Sequence, residues 1–208
     1  MPQRLFLGSA GLGALPSWLD GLPGEPRRAL LIPTAATPLP SAPYVQVADD
    51  LLRAEGLEVE RLDLEHASRQ DVRQALDRAQ VVFVCGGFAM FLLEHAQRSG
   101  FAQLAAEAVR EGRLAYAGIS AGAALAGPDL RTFEDLDDPG RPDGTAGMGL
   151  VPFIVLAHRN RGRAERHDRL AADASGRFVS INDDQVITVV GDRWSLESSP
   201  THSATGRS

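Results

Sequence analysis

Short, wholly apolar segments alternate with helix-length amphipathic ones over the first 125 residues, and few folds accommodate that pattern. Arg4–Gly8, Ala29–Pro33, Leu57–Leu64, Val81–Cys85 and Leu114–Gly118 read as strands. Between them the apolar residues recur at helical spacing. In 43–55, Tyr44, Val47, Ala48, Leu51 and Leu52 share one face. Val72, Ala75, Leu76 and Ala79 mark a second helix. Ala89, Leu92, Leu93 and Ala96 mark a third, stopped by Gly100. Phe101, Leu104, Ala105, Ala108 and Val109 mark a fourth, stopped by Gly112. Strands apolar on both faces must be covered on both faces. The expectation is therefore an α/β protein with a parallel sheet between two helical layers. Ligands of such sheets bind beyond the carboxyl ends of the strands.

Past Leu125 the pattern changes. Residues 126–149 hold three prolines, five glycines and the acidic run FEDLDDPG. A loop of that length in a compact domain is functional or disordered. LVPFIVLAH then reads as a strand ending at His158, and 163–173 as an arginine-rich helix. Val179–Asn182, Val186–Val190 and Trp194–Leu196 read as short antiparallel strands, with turns at Asp183-Asp184 and Gly191-Asp192. The whole is expected to be one α/β domain over 1–198, with 199–208 a polar, frayed tail.

Two loops fall at strand ends that should lie side by side: CGGFAM at 85–90 and GISAG at 118–122. Gly-x-Ser-x-Gly is the pattern of a nucleophile elbow, a tight strand-to-helix turn that holds a serine hydroxyl out for attack. Gly118 and Gly122 would let the turn tighten and the helix approach the strand. Ser120 is the candidate nucleophile. Backbone N–H groups at the start of the following helix favour an oxyanion, and the Gly86-Gly87 loop can aim further amides at the same point.

A serine needs a base, and the base an orienting acid. Of five histidines, His66, His95 and His202 read as solvent-facing and His167, in ERHDRL, as helix surface. His158 ends an apolar strand, where a base facing the cleft would sit. A metal site of His158, His167 and Asp168 fits no standard ligand spacing. For the acid, Glu134, Asp135, Asp137 and Asp138 of FEDLDDPG all qualify. With Asp135 the chain order is Ser120, Asp135, His158, and such short gaps argue against an α/β-hydrolase.

Composition narrows the partners. The chain has 21 basic residues, all arginine, against 27 acidic ones, for a net charge of −6. An acidic chain is poorly suited to nucleic acid. Arginine alone supplies fixed positive charge, and its planar fork suits carboxylates. The chosen carboxylate reader is Arg166, with Arg131 and Arg159 in reserve. The single cysteine, Cys85, is expected to be a small buried apolar residue. No signal peptide or membrane-length apolar run is read, so the expected location is cytoplasmic, with no membrane partner.

VCGGFAMFLLE, YAGISAGAALAGP, RTFED, LVPFIVLAH and ERHDRL, in this order, resemble the aspartyl dipeptidase (peptidase E) family of serine peptidases and its relatives, the cyanophycinases. The resemblance runs from Arg4 to about Val190. It implies a flavodoxin-like fold, similar to class I glutamine amidotransferases. It implies Ser120 as nucleophile, His158 as base, Asp135 as acid, and the Gly87 and Ala121 amides as oxyanion hole. Gly86, Phe88 and Arg166 would line the substrate site. Neither metal nor cofactor is implied; the partner is a short peptide, and a homodimer is left open. Two positions depart from the pattern: Phe88 stands where an asparagine is usual, and His167 follows Arg166 where a glutamate is usual. Specificity is therefore less defined than chemistry. A dipeptidase, with N-terminal aspartate as one option, is the first reading. A carboxypeptidase-like or cyanophycinase-like isopeptide hydrolase, and a non-catalytic binding domain, are the alternatives.

Overall fold

The computed structural model describes residues 1–135, 137–173 and 177–201. Nine strands and seven α-helices are found among them, and the sheet has both faces covered. β1 (Arg4–Gly8), β2 (Arg28–Ile32), β3 (Glu58–Arg61), β4 (Val81–Val84) and β5 (Ala115–Ile119) pair in parallel in the order β3-β2-β4-β5-β1. β8 (Gln185–Val190) joins β1 antiparallel, and β9 (Arg193–Ser198) closes the edge against β8.

Side chains alternate across a strand, and this sorts the core into two layers. Leu5, Leu7, Leu30, Ile32, Val82 and Val84 face one side, where they meet residues of α3 (Arg69–Arg78), α4 (Ala89–Arg98), α5 (Phe101–Arg110) and α6 (Ala121–Leu125). Phe6, Ala29, Leu31, Val81 and Phe83 face the other, against α1 (Leu15–Asp20) and α2 (Pro43–Ala54). Cys85 lies in that second layer, and burial pushes its thiol up to about 12, so it is a neutral packing residue.

The C-terminal part departs from expectation. LVPFIVLAH yields only a three-residue strand, β6 (Ile154–Leu156). It pairs in parallel with β7 (Phe178–Ser180) as a separate small sheet, so β7 is not part of an antiparallel set. Between them lie a wide turn at Arg159–Arg163 and α7 (Ala164–Asp173). Two histidines are also corrected. His95 is 4% exposed and packs its ring on Phe91 with centroids 4.3 Å apart. His167 is 1% exposed, and its Nδ1 lies 2.7 Å from the Ser180 hydroxyl. Each is buried on its helix, His167 against Ser180 of β7. The chain is not loose at Ser199 either. Its buried hydroxyl donates to the Gly11 carbonyl at 2.8 Å, and the Pro200 carbonyl accepts from Gly13 at 2.9 Å. Residues 202–208 of the expected tail lie outside the described residues. Among the described residues, no helix is long and apolar enough to cross a membrane.

Candidate active site

The carboxyl ends of β1, β4 and β5 converge on Ser120. Its backbone adopts φ 51°, ψ −110°, between β5 and α6. A non-glycine residue with positive φ is held only by its surroundings. Here the Ser120 amide donates to the Gly8 carbonyl at 2.9 Å, and its carbonyl accepts from Ala124 at 2.9 Å. The flanking glycines are steric necessities. A Cβ on Gly118 would lie 2.5 Å from the Gly122 carbonyl, and one on Gly122 would lie 2.2 Å from the Val84 carbonyl oxygen. The buried Tyr116 hydroxyl donates to the Gly122 carbonyl at 2.6 Å and locks the start of α6 onto β5.

The second loop is equally constrained. Gly87 has φ 140°, and a Cβ there would meet the Ala35 carbonyl oxygen at 2.0 Å. That same carbonyl accepts the Phe88 amide at 2.8 Å. The amides of Gly87 and Ala121 donate to no acceptor among the described residues.

His158 also has positive φ, at 65°. Its Nε2 stands 2.9 Å from Ser120 Oγ, and its Nδ1 stands 2.6 Å from Asp183 Oδ1. The geometry is that of a serine, an imidazole and a carboxylate in an unbroken chain. The expected acid is corrected here. Asp135 is exposed, and among the described residues its carboxylate accepts only the Asp137 amide, at 3.3 Å. Glu134 and Asp137 are exposed as well. Asp138 is 4% exposed but caps α4, accepting the Met90, Phe91 and Gly140 amides at 2.8, 3.0 and 2.9 Å. Asp183, read from the sequence as a turn residue, holds the imidazole instead. The reason is topological: β7 returns beside β6, so the turn leading into β8 arrives next to the short segment after β6 that ends in His158.

Asp183 is itself held. Its Oδ2 accepts from Arg161 Nε at 2.6 Å, and its Oδ1 accepts from Ser9 Oγ at 3.1 Å. Burial pushes this carboxyl up, but hydrogen bonds from His158, Arg161 and Ser9 outweigh it, so Asp183 stays below the usual carboxylate range. His158 is shifted down. Burial is the larger cause, with the Arg161 and Arg163 charges adding to it and Asp183 opposing. Burial and the two arginines thus favour the neutral imidazole over the imidazolium. The other two residues of the conceivable metal set turn elsewhere: His167 to Ser180 and Asp168 to Arg159, at 2.7 Å.

Ser120 and His158 open into a cavity of about 1020 Å³. Gly86, Gly87, Phe88, Leu39 and Tyr44 line it on the glycine-loop side, where the Tyr44 hydroxyl donates to the Gly86 carbonyl at 3.1 Å. Arg161, Arg163, Arg166 and His167 line it past His158. Arg166 donates to the Thr132 carbonyl, which ties α7 to the loop after α6. Of the reserves, Arg159 is paired with Asp168, and the exposed Arg131 lies 3.6 Å from Asp129.

A serine hydrogen-bonded to an imidazole at the carboxyl end of a parallel α/β sheet is an arrangement found in serine peptidases, and the chain is similar to proteins of that class. The model of peptidase family S51 matches residues 10–196, and the chain belongs to that family. An uncharacterized peptidase of Pasteurella multocida is 31% identical over 161 residues, 75% of this chain and 77% of the relative. A peptidase E of Streptomyces coelicolor is 33% identical over 128 residues, 57% of this chain and 52% of the relative. A solved structure of a candidate peptidase E from Listeria monocytogenes superposes with a TM-score of 0.83 at 26% identity. It covers 95% of this chain and 99% of that one.

Proposed function

We propose that the protein hydrolyses short peptides through an acyl-enzyme, with Ser120 as nucleophile, His158 as general base and Asp183 as orienting acid. The observation that carries this reading is the continuous chain from Ser120 Oγ through both nitrogens of His158 to Asp183, at 2.9 and 2.6 Å, beside an open cavity. His158 Nε2 takes the Ser120 proton as Oγ attacks the scissile carbonyl. The resulting oxyanion is received by the Gly87 and Ala121 amides. The imidazolium then gives its proton to the leaving amine, and water repeats the sequence on the ester. Asp183 keeps hydrogen on Nδ1, so Nε2 presents its lone pair to the serine.

The arginines past His158 define the substrate further. Arg161 is committed to Asp183 and Arg166 donates to Thr132, whereas Arg163 makes no ion pair or hydrogen bond among the described residues. In a dipeptide, the terminal carboxylate lies one carbon from the leaving nitrogen that His158 protonates. Arg163 is thus the first choice to receive it, ahead of Arg166. Loss of such a charge-assisted contact costs about 1.5–3 kcal/mol, roughly ten- to a hundredfold in kcat/KM. Arg163→Ala should impair free dipeptides by that factor and spare their C-terminal amides. Equal losses on both would place the carboxylate elsewhere. A panel of dipeptides, amides and tripeptides, with N-terminal aspartate and apolar members, read by mass spectrometry, tests the function itself. A fluorophosphonate probe tests the activated serine: absence of Ser120 labelling would favour a binding domain.

The depressed pKa of His158 sets the pH dependence. The base works only when neutral, so activity is lost as pH falls through its pKa. The acid limb of kcat/KM should therefore have its midpoint below the ordinary histidine value of 6.5. A midpoint above that value would mean that Asp183 dominates over burial and the two arginines.

A further inference from the structure

Gly8, the last residue of β1, and the segment that follows it touch all three residues of the candidate triad. The Gly8 carbonyl accepts the Ser120 amide at 2.9 Å. The Ser9 hydroxyl accepts the His158 amide at 2.8 Å and donates to Asp183 Oδ1 at 3.1 Å. The amides of Ala10 and Gly11 donate to the Asp183 carbonyl at 3.3 and 2.7 Å. These bonds join groups up to 174 residues apart in sequence. Ser120 and His158 both hold positive φ, at 51° and 65°, so neither keeps its conformation by local preference. Gly11 has no room for a side chain, since a Cβ there would lie 1.7 Å from the Ser199 carbonyl oxygen. The segment is therefore pinned from behind.

We propose that Ser9 is a positioning residue of the active site, whose single hydroxyl fixes the His158 backbone and the Asp183 carboxylate to one point at the end of β1. The proposal rests on the Ser120–His158–Asp183 reading and extends it. Ser9 is 1% exposed, so no water competes for its hydroxyl. Its one proton goes to the carboxylate and a lone pair receives the His158 N–H, which uses the group as both donor and acceptor. His158 Nδ1 lies 3.2 Å away, close enough for the hydroxyl to bound the imidazole's swing. No other side chain among the described residues bonds both His158 and Asp183. Arg161 reaches the carboxylate alone.

The test compares Ser9→Ala and Ser9→Thr with the native enzyme, using the best substrate of the dipeptide panel. The alanine removes one oxygen and adds no bulk, so the fold is retained. Expected is a fall in kcat of about ten- to a hundredfold, with KM changed by no more than about twofold. The acid limb should move to higher pH, because Asp183, with one donor fewer, stabilises the imidazolium more strongly against the Arg161 and Arg163 charges. Ser9→Thr keeps the hydroxyl and should recover most of kcat. Native kcat in Ser9→Ala would overturn the proposal. So would an unmoved acid limb with no recovery in Ser9→Thr, which would make Ser9 a packing residue only. Fluorophosphonate labelling of the native enzyme separates the two levels: if Ser120 is not labelled, the triad reading fails; if it is labelled and Ser9→Ala is native-like, only the Ser9 role fails.

Discussion

Ser120→Ala is expected to lower kcat by a factor on the order of 10³ to 10⁶ and to leave the protein folded. The serine side chain makes one contact of consequence, from Oγ to His158 Nε2 at 2.9 Å. Alanine keeps the Cβ, so it meets the positive φ at this position no worse than serine does. The bonds that hold the elbow, from the Ser120 amide to Gly8 and from Ala124 to the Ser120 carbonyl, are backbone bonds and survive. Any residual turnover would come from the Gly87 and Ala121 amides and from substrate binding. Steady-state kinetics, beside a thermal melt of the same preparation, decide the matter. A folded variant with near-native turnover would remove the catalytic reading altogether.

The second large effect separates Asp183 from the acidic loop. Asp183→Asn should reduce kcat by roughly 10² to 10⁴, because Arg161 draws the amide oxygen to itself and leaves the NH2 donating to His158 Nδ1, which favours the tautomer that points hydrogen at Ser120. It also loses charge against Arg161, which is 2.6 Å away. Asp135→Asn, on an exposed turn, should change kcat by no more than about twofold. Asp138→Asn is a third case. It weakens the cap of α4, so its loss should show in the melting temperature before it shows in turnover. A larger kcat loss from Asp135→Asn than from Asp183→Asn would return the acid to the loop after α6.

Much of the site was legible because its signals are local. A serine between two glycines after an apolar strand has few explanations, and the structure supplies the reason for each glycine in the contacts that a Cβ would make. Gly86-Gly87 was equally readable. His158 stood out as a histidine at the end of an apolar run. The acid was not legible. The four carboxylates of FEDLDDPG, between the serine and the histidine, offered a ready supply, while Asp183 stood in an ordinary turn between short strands. Ser9 carried no signal beyond following the first strand.

The sequence by itself determined the layered α/β sheet, the two glycine loops and the serine. Period-2 and period-3.6 patterns, and the need for glycine in tight turns, are set within a few residues of chain. Only the tertiary structure decided which carboxylate reaches His158, that His95 and His167 are buried, and that Ser9 joins β1 to both His158 and Asp183. Those outcomes depend on β6 pairing with β7 and on β8 running antiparallel to β1. Such pairings join segments far apart in sequence, and what selects them is the burial they achieve together with the backbone groups they satisfy. No short stretch of residues records that balance.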